Sequence, residues 1–176
     1  AVYIFSPLRT SLGRGNVPSI AILYLRNLGP EADEPYTYGI TQDLIVDIAK
    51  AGIVRVAPMK DALSIQHTNL SMEEIAERLR VKYVLEGTFK RDAGVFHLTA
   101  QVVEVASGRT LWANKLQAQV EHASILQRQL AEAIIAALQL SPTPELMKEI
   151  TASRTPSPEA YEYYLRATYA FKKKKS

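Results

Sequence analysis

The sequence predicts an α/β fold of the α+β kind, with helices packed on a mixed five-stranded sheet and a C-terminal helical appendage. Two observations lead to this prediction. In residues 19–80, short apolar runs alternate with segments of helical periodicity. In residues 81–120, turn signals at Gly94 and Gly108 separate three runs rich in β-branched residues. The predicted order of elements is therefore β-α-β-α-β-β-β-α.

The first strands are joined through helices. The run SIAILYL at residues 19–25 is almost entirely apolar, as in a strand that is buried on both faces. Residues 37–51 have helical periodicity, which stops at Gly52, and glycine is common just beyond a helix C terminus. The run IVRVAP at residues 53–58 predicts the second strand. Because helices connect these strands, we expect parallel pairing with right-handed crossovers.

Polar residues mark the start of one predicted helix and the outer face of another. The helix at residues 71–80 begins with Ser71 and Glu74, which have the spacing of a capping box. In the earlier helix, the polar side chains that fall off the apolar stripe are expected to face solvent. These residues are Gln42, Asp43 and Asp47.

The second half of the domain predicts a meander covered by a long helix. The three strands within residues 81–120 are joined by turns too short for a crossover, so they pair antiparallel. Trp112 lies in the third of them, and its large side chain is expected in the core or at its rim. Residues 121–140 repeat apolar side chains every four positions and predict the covering helix.

Two more helices are predicted after this domain. Thr143 and Ser157 each precede a proline, which is typical of a capping residue before a first-turn proline. The second helix, at residues 158–171, is rich in aromatic residues, of which Tyr161, Tyr164 and Tyr169 are candidate protein-interaction residues. The expected organisation is an arm or linker at 1–18, an α/β domain at 19–140, a connecting helix at 141–155 and a helical region at 156–176.

Composition excludes several classes of protein. The chain has no cysteine, which rules out disulfides, cysteine nucleophiles and thiolate metal sites. Its net charge is +3, yet four of its 21 basic residues are Lys172 to Lys175, and without them the 18 acidic residues would be in slight excess. This terminal run is typical of a solvated segment. No stretch reaches the roughly 18 apolar residues of a membrane-spanning helix.

The sequence shows no catalytic or metal-binding arrangement. Its three histidines lack a second ligand at helical spacing, and neither a P-loop nor a nucleophile elbow is present. Pairs such as Asp43 with Asp47 are typical of a solvated helix face, whereas paired-carboxylate catalysis needs two groups that converge on one point. A nucleic-acid platform would need interleaved aromatic residues on the sheet. We therefore predict no catalytic residue, metal, cofactor or nucleic-acid partner.

One crevice is a candidate ligand site. In open sheets with parallel strands, ligands favour the crevice beyond the carboxyl ends of those strands. After the first strand this position brings together Asn27 and the start of the next helix, with Tyr38, Thr41 and Gln42. The alternative is structural, with Asn27 holding a loop and the helix start held by its caps.

Four segments of residues 19–140 together resemble a known family. They are SIAILYLRNLGP, YGITQDLIVDIAKAGIVRVAP, EEIAERLRVKYVLEGTFKR and LTAQVVEVASGRTLWANK. They resemble the TolB amino-terminal-like domain, also described as FlgO-like, and their order matches throughout. The later segment SPEAYEYYLRATYAF resembles the first helix of a tetratricopeptide-repeat region. Such repeats bury their faces only against stacked neighbours.

The resemblance implies a non-catalytic domain between a membrane-anchored signalling module and helical repeats. We therefore expect a protein-binding or sensory module of a bacterial regulatory protein, with a protein partner or a homo-oligomer. Its expected location is extracytoplasmic, or periplasmic, with the cytoplasm as the alternative. Small-molecule sensing in the crevice is the alternative function. The chain departs from the family pattern at Tyr24 and at Thr37-Tyr38, and both departures lie at that crevice.

Overall fold

The computed structural model describes residues 17–152 and 157–175 of the 176-residue chain. Most of the expected N-terminal arm, and the junction at residues 153–156, lie outside the described residues. The predicted fold class is confirmed, because helices pack against a mixed sheet and a further helix follows at the C terminus. Among the described residues, no helix combines the length and the apolar character that crossing a bilayer requires.

One mixed sheet of six strands lies at the centre of the fold. Its strands are β1 (Ser19–Ile22), β2 (Arg26–Asn27), β3 (Arg55–Val56), β4 (Tyr83–Asp92), β5 (Val95–Glu104) and β6 (Arg109–Gln119). The spatial order is β3-β1-β4-β5-β6, and β2 lies beside β4. As predicted, β1 pairs in parallel with β3 and β4, whereas β4, β5 and β6 form an antiparallel meander.

The sixth strand lies where the sequence predicts a loop. After β1 the chain leaves the sheet, and it returns as β2, which pairs in parallel with Thr88 and Phe89 of β4. This strand is only two residues long, so it carries too few side chains for a period-two pattern to reveal it. The predicted five-stranded sheet therefore lacked this one short strand.

Six α-helices surround the sheet within the described ranges. They are α1 (Glu34–Lys50), α2 (Met59–Ser64), α3 (Met72–Leu79), α4 (Ser124–Ala137), α5 (Pro144–Thr151) and α6 (Pro158–Lys175). The short helix α2 was not predicted. The capping box of α3 is present, since Glu74 N–H donates to Ser71 Oγ at 3.2 Å and Ser71 N–H donates to Glu74 Oε2 at 2.7 Å.

The two faces of the sheet are covered to different extents. Helices α1 and α4 pack on one face, over a core that includes Leu85, Phe89 and Phe96, all fully buried. Helices α2 and α3 pack on the other face, over Ala21 and Val84. The second core is the smaller one, so part of that face stays open as a groove. Helix α6 packs along α1, which places it beside the larger core.

The predicted solvent exposure of two carboxylates on α1 is wrong. Asp43 and Asp47 are 1% and 5% exposed. The hydroxyl of Tyr164 on α6 donates to Asp43 Oδ1 at 2.9 Å, and the amide of Gln127 on α4 donates to Asp47 Oδ2. These groups compensate the cost of burying carboxylates. Helical periodicity locates the apolar stripe but does not tell how many helices will cover the polar face.

Candidate functional site

Beyond the carboxyl end of β1 the chain forms β2, which ends at the first predicted site residue. Asn27 holds the loop that follows, because its Oδ1 accepts a hydrogen bond of 2.9 Å from Gly29 N–H and its Nδ2 donates to Pro30 O at 2.8 Å. These contacts match the structural role that the sequence left open for Asn27. They engage both the oxygen and the nitrogen of the Asn27 side chain in local hydrogen bonds.

The other predicted site residues lie on α1. Thr41 is fully buried, donates to Thr37 O at 2.7 Å and accepts from Leu25 N–H at 3.4 Å. Gln42 is half-buried, and its Oε1 has no hydrogen-bond partner among the described residues. Tyr38 is 8% exposed and faces an aromatic cluster. Of the four residues, Tyr38 is therefore the one that belongs to an aromatic cluster.

That feature, here named the tyrosine cage, consists of Tyr24, Tyr38 and Tyr169. The ring centroid of Tyr38 lies 6.3 Å from that of Tyr24 and 5.8 Å from that of Tyr169. The ammonium nitrogen of Lys172 lies 5.7, 5.3 and 5.4 Å from the centroids of Tyr24, Tyr38 and Tyr169. All three distances are within the range of cation–π attraction. The Lys172 ammonium thus lies close to all three rings, and the ammonium nitrogen of Lys173 also lies 5.3 Å from the Tyr169 centroid.

Polar contacts hold the first ring in place. The Tyr24 hydroxyl donates to the Glu34 carboxylate at 2.6 Å and accepts from the Thr37 hydroxyl at 3.0 Å. Burial, followed by the hydrogen bond to Glu34, raises the pKa of Tyr24 far above its ordinary value. Burial also raises the pKa values of Tyr38 and Tyr169. The three rings therefore stay neutral at physiological pH.

Helix α6 reaches the cage because it docks closely on α1. Leu165 is fully buried, and a Cβ atom placed on Gly39 would overlap its Cδ2 atom. Glycine at this position therefore permits the close approach of the two helices. An exposed ion pair of 2.9 Å between Lys173 and Glu31 lies near the end of the same contact. The last turn of α6 covers the crevice in which the sequence predicts a ligand.

The predicted interaction tyrosines on α6 point largely towards the domain. Tyr161 is 7% exposed, Tyr164 bonds to Asp43, and Tyr169 belongs to the cage. The most exposed large apolar side chains of α6 are Tyr163, at 76%, and Phe171, at 69%, whereas Tyr164 is 38% exposed. Sequence reasoning did not select these two. Tyr163, Ala167 and Phe171 follow one another at intervals of four residues, which places them on one face of a helix. This interval was the signal by which the sequence could have revealed them.

A second concave region lies on the open face of the sheet. This groove has a volume of about 550 Å³ and runs across β4 and β5 beside the segment that connects β1 to β2. Glu86 and Gln101 line it and bond to each other, with Gln101 Nε2 donating to Glu86 Oε1 at 2.6 Å. Within the described ranges, no three His, Asp or Glu side chains are grouped so that they could hold a metal ion.

Comparison with known proteins provides one curated relative. The chain is 27% identical over 154 residues to a putative adenylate cyclase 3 of Rhizobium meliloti strain 1021. The match covers 87% of this chain but 26% of the relative, so the chain spans about a quarter of that protein's length. No family model matches the sequence.

Two solved structures, from Acinetobacter and Neisseria, have a similar fold. TolB from Acinetobacter baumannii superposes with a TM-score of 0.52 at 18% identity, over 72% of this chain and 29% of TolB. Lipoprotein GNA1162 from Neisseria meningitidis gives a TM-score of 0.50 at 14% identity, over 69% of this chain and 98% of the lipoprotein. At such identities the likeness concerns the fold. The domain thus has the TolB-like fold that the sequence resemblance implied.

Proposed function

We propose that this chain is a non-catalytic protein-interaction module of a bacterial membrane-associated signalling protein. The observation that carries the proposal is an exposed apolar stripe on α6, a helix that is itself firmly docked on the sheet domain. A docked helix presents such a stripe in a fixed orientation. Exposed apolar residues that are contiguous often mark interaction surfaces.

The stripe, here named the outer stripe, lies within about 100° of the circumference of α6. Two large side chains share it with three exposed alanines. Small and large residues arranged in this way fit the ridges of another helix. Its members are Ala160, Tyr163, Ala167, Ala170 and Phe171.

The occupant that we propose is an amphipathic helix from another segment of the same signalling polypeptide. The putative adenylate cyclase, most of whose length lies outside the matched region, supports this choice. A helical-repeat region, as the sequence resemblance suggests, would supply such a helix.

In this proposal the module lies outside the cytoplasm. A topology reporter fused after residue 176 in the natural protein tests that point, and reporter activity restricted to the cytoplasm contradicts it.

Site-specific photo-crosslinking in the natural protein tests the occupant. A photoreactive amino acid replaces Tyr163, and the control carries it at Ala106, which is also exposed. We expect cross-links from position 163 to an amphipathic helical segment of the same polypeptide, identified by mass spectrometry. Cross-links to a separate protein or a second copy of the chain would overturn the proposed occupant. A yield no higher than at position 106 would overturn the surface itself.

The second part of the proposal is that this module does not catalyse a reaction. The carboxylates that sequence reasoning considered are engaged in holding the fold, since Asp43 and Asp47 accept hydrogen bonds from neighbouring helices. Glu86, in the open groove, bonds to Gln101. In a larger signalling protein, nucleotide chemistry would belong to a different domain. Cyclase activity from the isolated module with ATP and Mg²⁺ would contradict this part.

A further inference from the structure

We propose that the tyrosine cage is a binding site for an organic ammonium ion, and that Lys172 of the same chain occupies it in this structure. The inference stands apart from the protein-interaction role, because the cage lies on the inner side of α6 and the outer stripe on its exposed side. The chemical class of ligand is a small molecule with a quaternary ammonium group, such as trimethylammonium.

The arrangement of the rings carries the proposal. Three tyrosine rings lie within 5.7 Å of one ammonium nitrogen. Tyr24 and Tyr38 are each 8% exposed, so the surface they offer the cation is largely shielded from water. Aromatic rings that surround a cation in this way are the usual means of recognising quaternary ammonium groups. An ordinary contact between a lysine and an aromatic residue involves one ring, whereas three rings converge on Lys172 here.

Acidic groups at the rim favour a cation over a neutral guest. The Glu34 carboxylate accepts from the Tyr24 hydroxyl at 2.6 Å, and Glu31 pairs with Lys173 at 2.9 Å. A negative charge close to the rings adds Coulomb attraction for any positive group that enters. The hydrogen bonds of the Tyr24 hydroxyl to Glu34 and from Thr37 also orient the Tyr24 ring.

Lys172 is a displaceable occupant. The primary ammonium group of lysine is compact and strongly hydrated, so it loses much hydration when rings enclose it. A quaternary ammonium group has no N–H donors and loses less, so it competes well for the rings. Lys172 lies near the end of α6, where the helix can fray without unfolding the domain. Because the helix holds Lys172 beside the rings, it competes with a free ligand as a group of the same molecule.

Calorimetric titration with choline tests the site. The matched control ligand is 3,3-dimethylbutan-1-ol, which has the shape of choline and no charge. We expect the parent chain to bind choline weakly and Lys172→Ala to bind it about tenfold more tightly or better, because the tethered ammonium that contacts all three rings is gone, whereas Lys173 lies over Tyr169 alone. The neutral alcohol should not bind either protein measurably. Equal affinity for choline and the alcohol would overturn the proposal, as would no gain in Lys172→Ala.

Two variants separate the cage from the rest of the surface. Tyr169→Leu, made together with Lys172→Ala, removes a half-exposed wall of the cage and should abolish choline binding. Tyr163→Leu, also made together with Lys172→Ala, alters the exposed side of α6 and should leave binding unchanged. Thermal unfolding of each protein confirms that it is folded at the titration temperature. Choline binding that survives Tyr169→Leu would refute a site built from the three rings.

Trimethylammonium groups occur both in free solutes and in lipid headgroups, and sedimentation with vesicles distinguishes these sources. Lys172→Ala is mixed with vesicles of phosphatidylcholine or of phosphatidylglycerol. Cosedimentation with the first alone, reversed by free choline, assigns the headgroup as a ligand. Binding of free choline without cosedimentation assigns a soluble metabolite. If neither vesicle cosedimentation nor choline binding is observed, the cage is not an ammonium site.

Discussion

The hydroxyl of Tyr164 donates a hydrogen bond of 2.9 Å to Oδ1 of Asp43 and so joins residues 121 positions apart. Asp43 lies on α1 and is 1% exposed, whereas Tyr164 lies on α6 and is 38% exposed. The bond therefore links a half-exposed ring to a carboxylate inside the protein. It is one of the contacts that make α6 part of the folded unit in this structure.

Removal of this hydroxyl should cost stability. In Tyr164→Phe, Asp43 loses one hydrogen-bond donor, and we expect the free energy of unfolding to fall by about 1 kcal/mol, because the ring is partly exposed. Urea denaturation measures the change. Tyr163→Phe, on the exposed face of the same helix, is the control and should stay within about 0.5 kcal/mol of the parent. Similar losses in both variants would contradict the role of Asp43.

The contact between Gly39 and Leu165 should show strong coupling. Leu165→Ala removes a fully buried side chain and should cost about 2–5 kcal/mol. Gly39→Ala adds a Cβ that overlaps Leu165, which offsets the roughly 1 kcal/mol that alanine gains over glycine in a helix. In the double variant the overlap is gone, so the alanine should stabilise the protein relative to Leu165→Ala alone. A double-mutant cycle that shows additivity would contradict this packing.

The ion pair between Arg91 and Asp33 should stabilise the fold, because it compensates a buried carboxylate charge. Arg91 Nη2 lies 2.8 Å from Asp33 Oδ1, and the side chain of Asp33 is 1% exposed. Arg91→Met leaves that carboxylate without its cation and should cost about 3–5 kcal/mol. Adding Asp33→Asn removes the buried charge and should recover part of the loss. Thermal or urea unfolding measures both proteins, and a double variant no more stable than Arg91→Met would refute the explanation.

Stability should fall at alkaline pH. Burial is the leading cause of raised pKa values for Tyr24, Tyr36, Tyr38 and Tyr169 in the folded state. Above the unfolded pKa of about 10, the unfolded chain therefore loses protons that the folded chain keeps. The free energy of unfolding should thus decrease as pH rises beyond about 10. At lower pH these groups are protonated in both states, so they should not make the free energy of unfolding depend on pH.

The variant Tyr24→Phe isolates one of these groups. It should lower the slope of unfolding free energy against pH above pH 10 by up to about 1.4 kcal/mol per pH unit. Below about pH 9, its slope should match that of the parent chain, which serves as the internal control. Urea denaturation across the range provides both slopes. An unchanged slope above pH 10 would show that Tyr24 does not contribute.

Local patterns were enough to predict most of the sheet and its helices. The apolar run that forms β1, the capping box at Ser71 and Glu74, and the short turns of the meander all depend on residues near one another in sequence. Elements too short for periodicity, β2 and α2, were missed for the same reason. Exposure was also misjudged, since Asp43 and Asp47 are covered by helices that lie far away along the chain.

The candidate site depended far more on tertiary structure. The sequence drew attention to Tyr38 and to Tyr169 but assigned them to different surfaces. They meet, with Tyr24 and Lys172, because α6 lies along α1, and Gly39 leaves room for Leu165 to bring the two helices together. Sequence by itself determined which segments become strands and helices, since neighbours along the chain set backbone preference and periodicity. Only the tertiary structure decided which side chains share a site, because that depends on how distant elements pack.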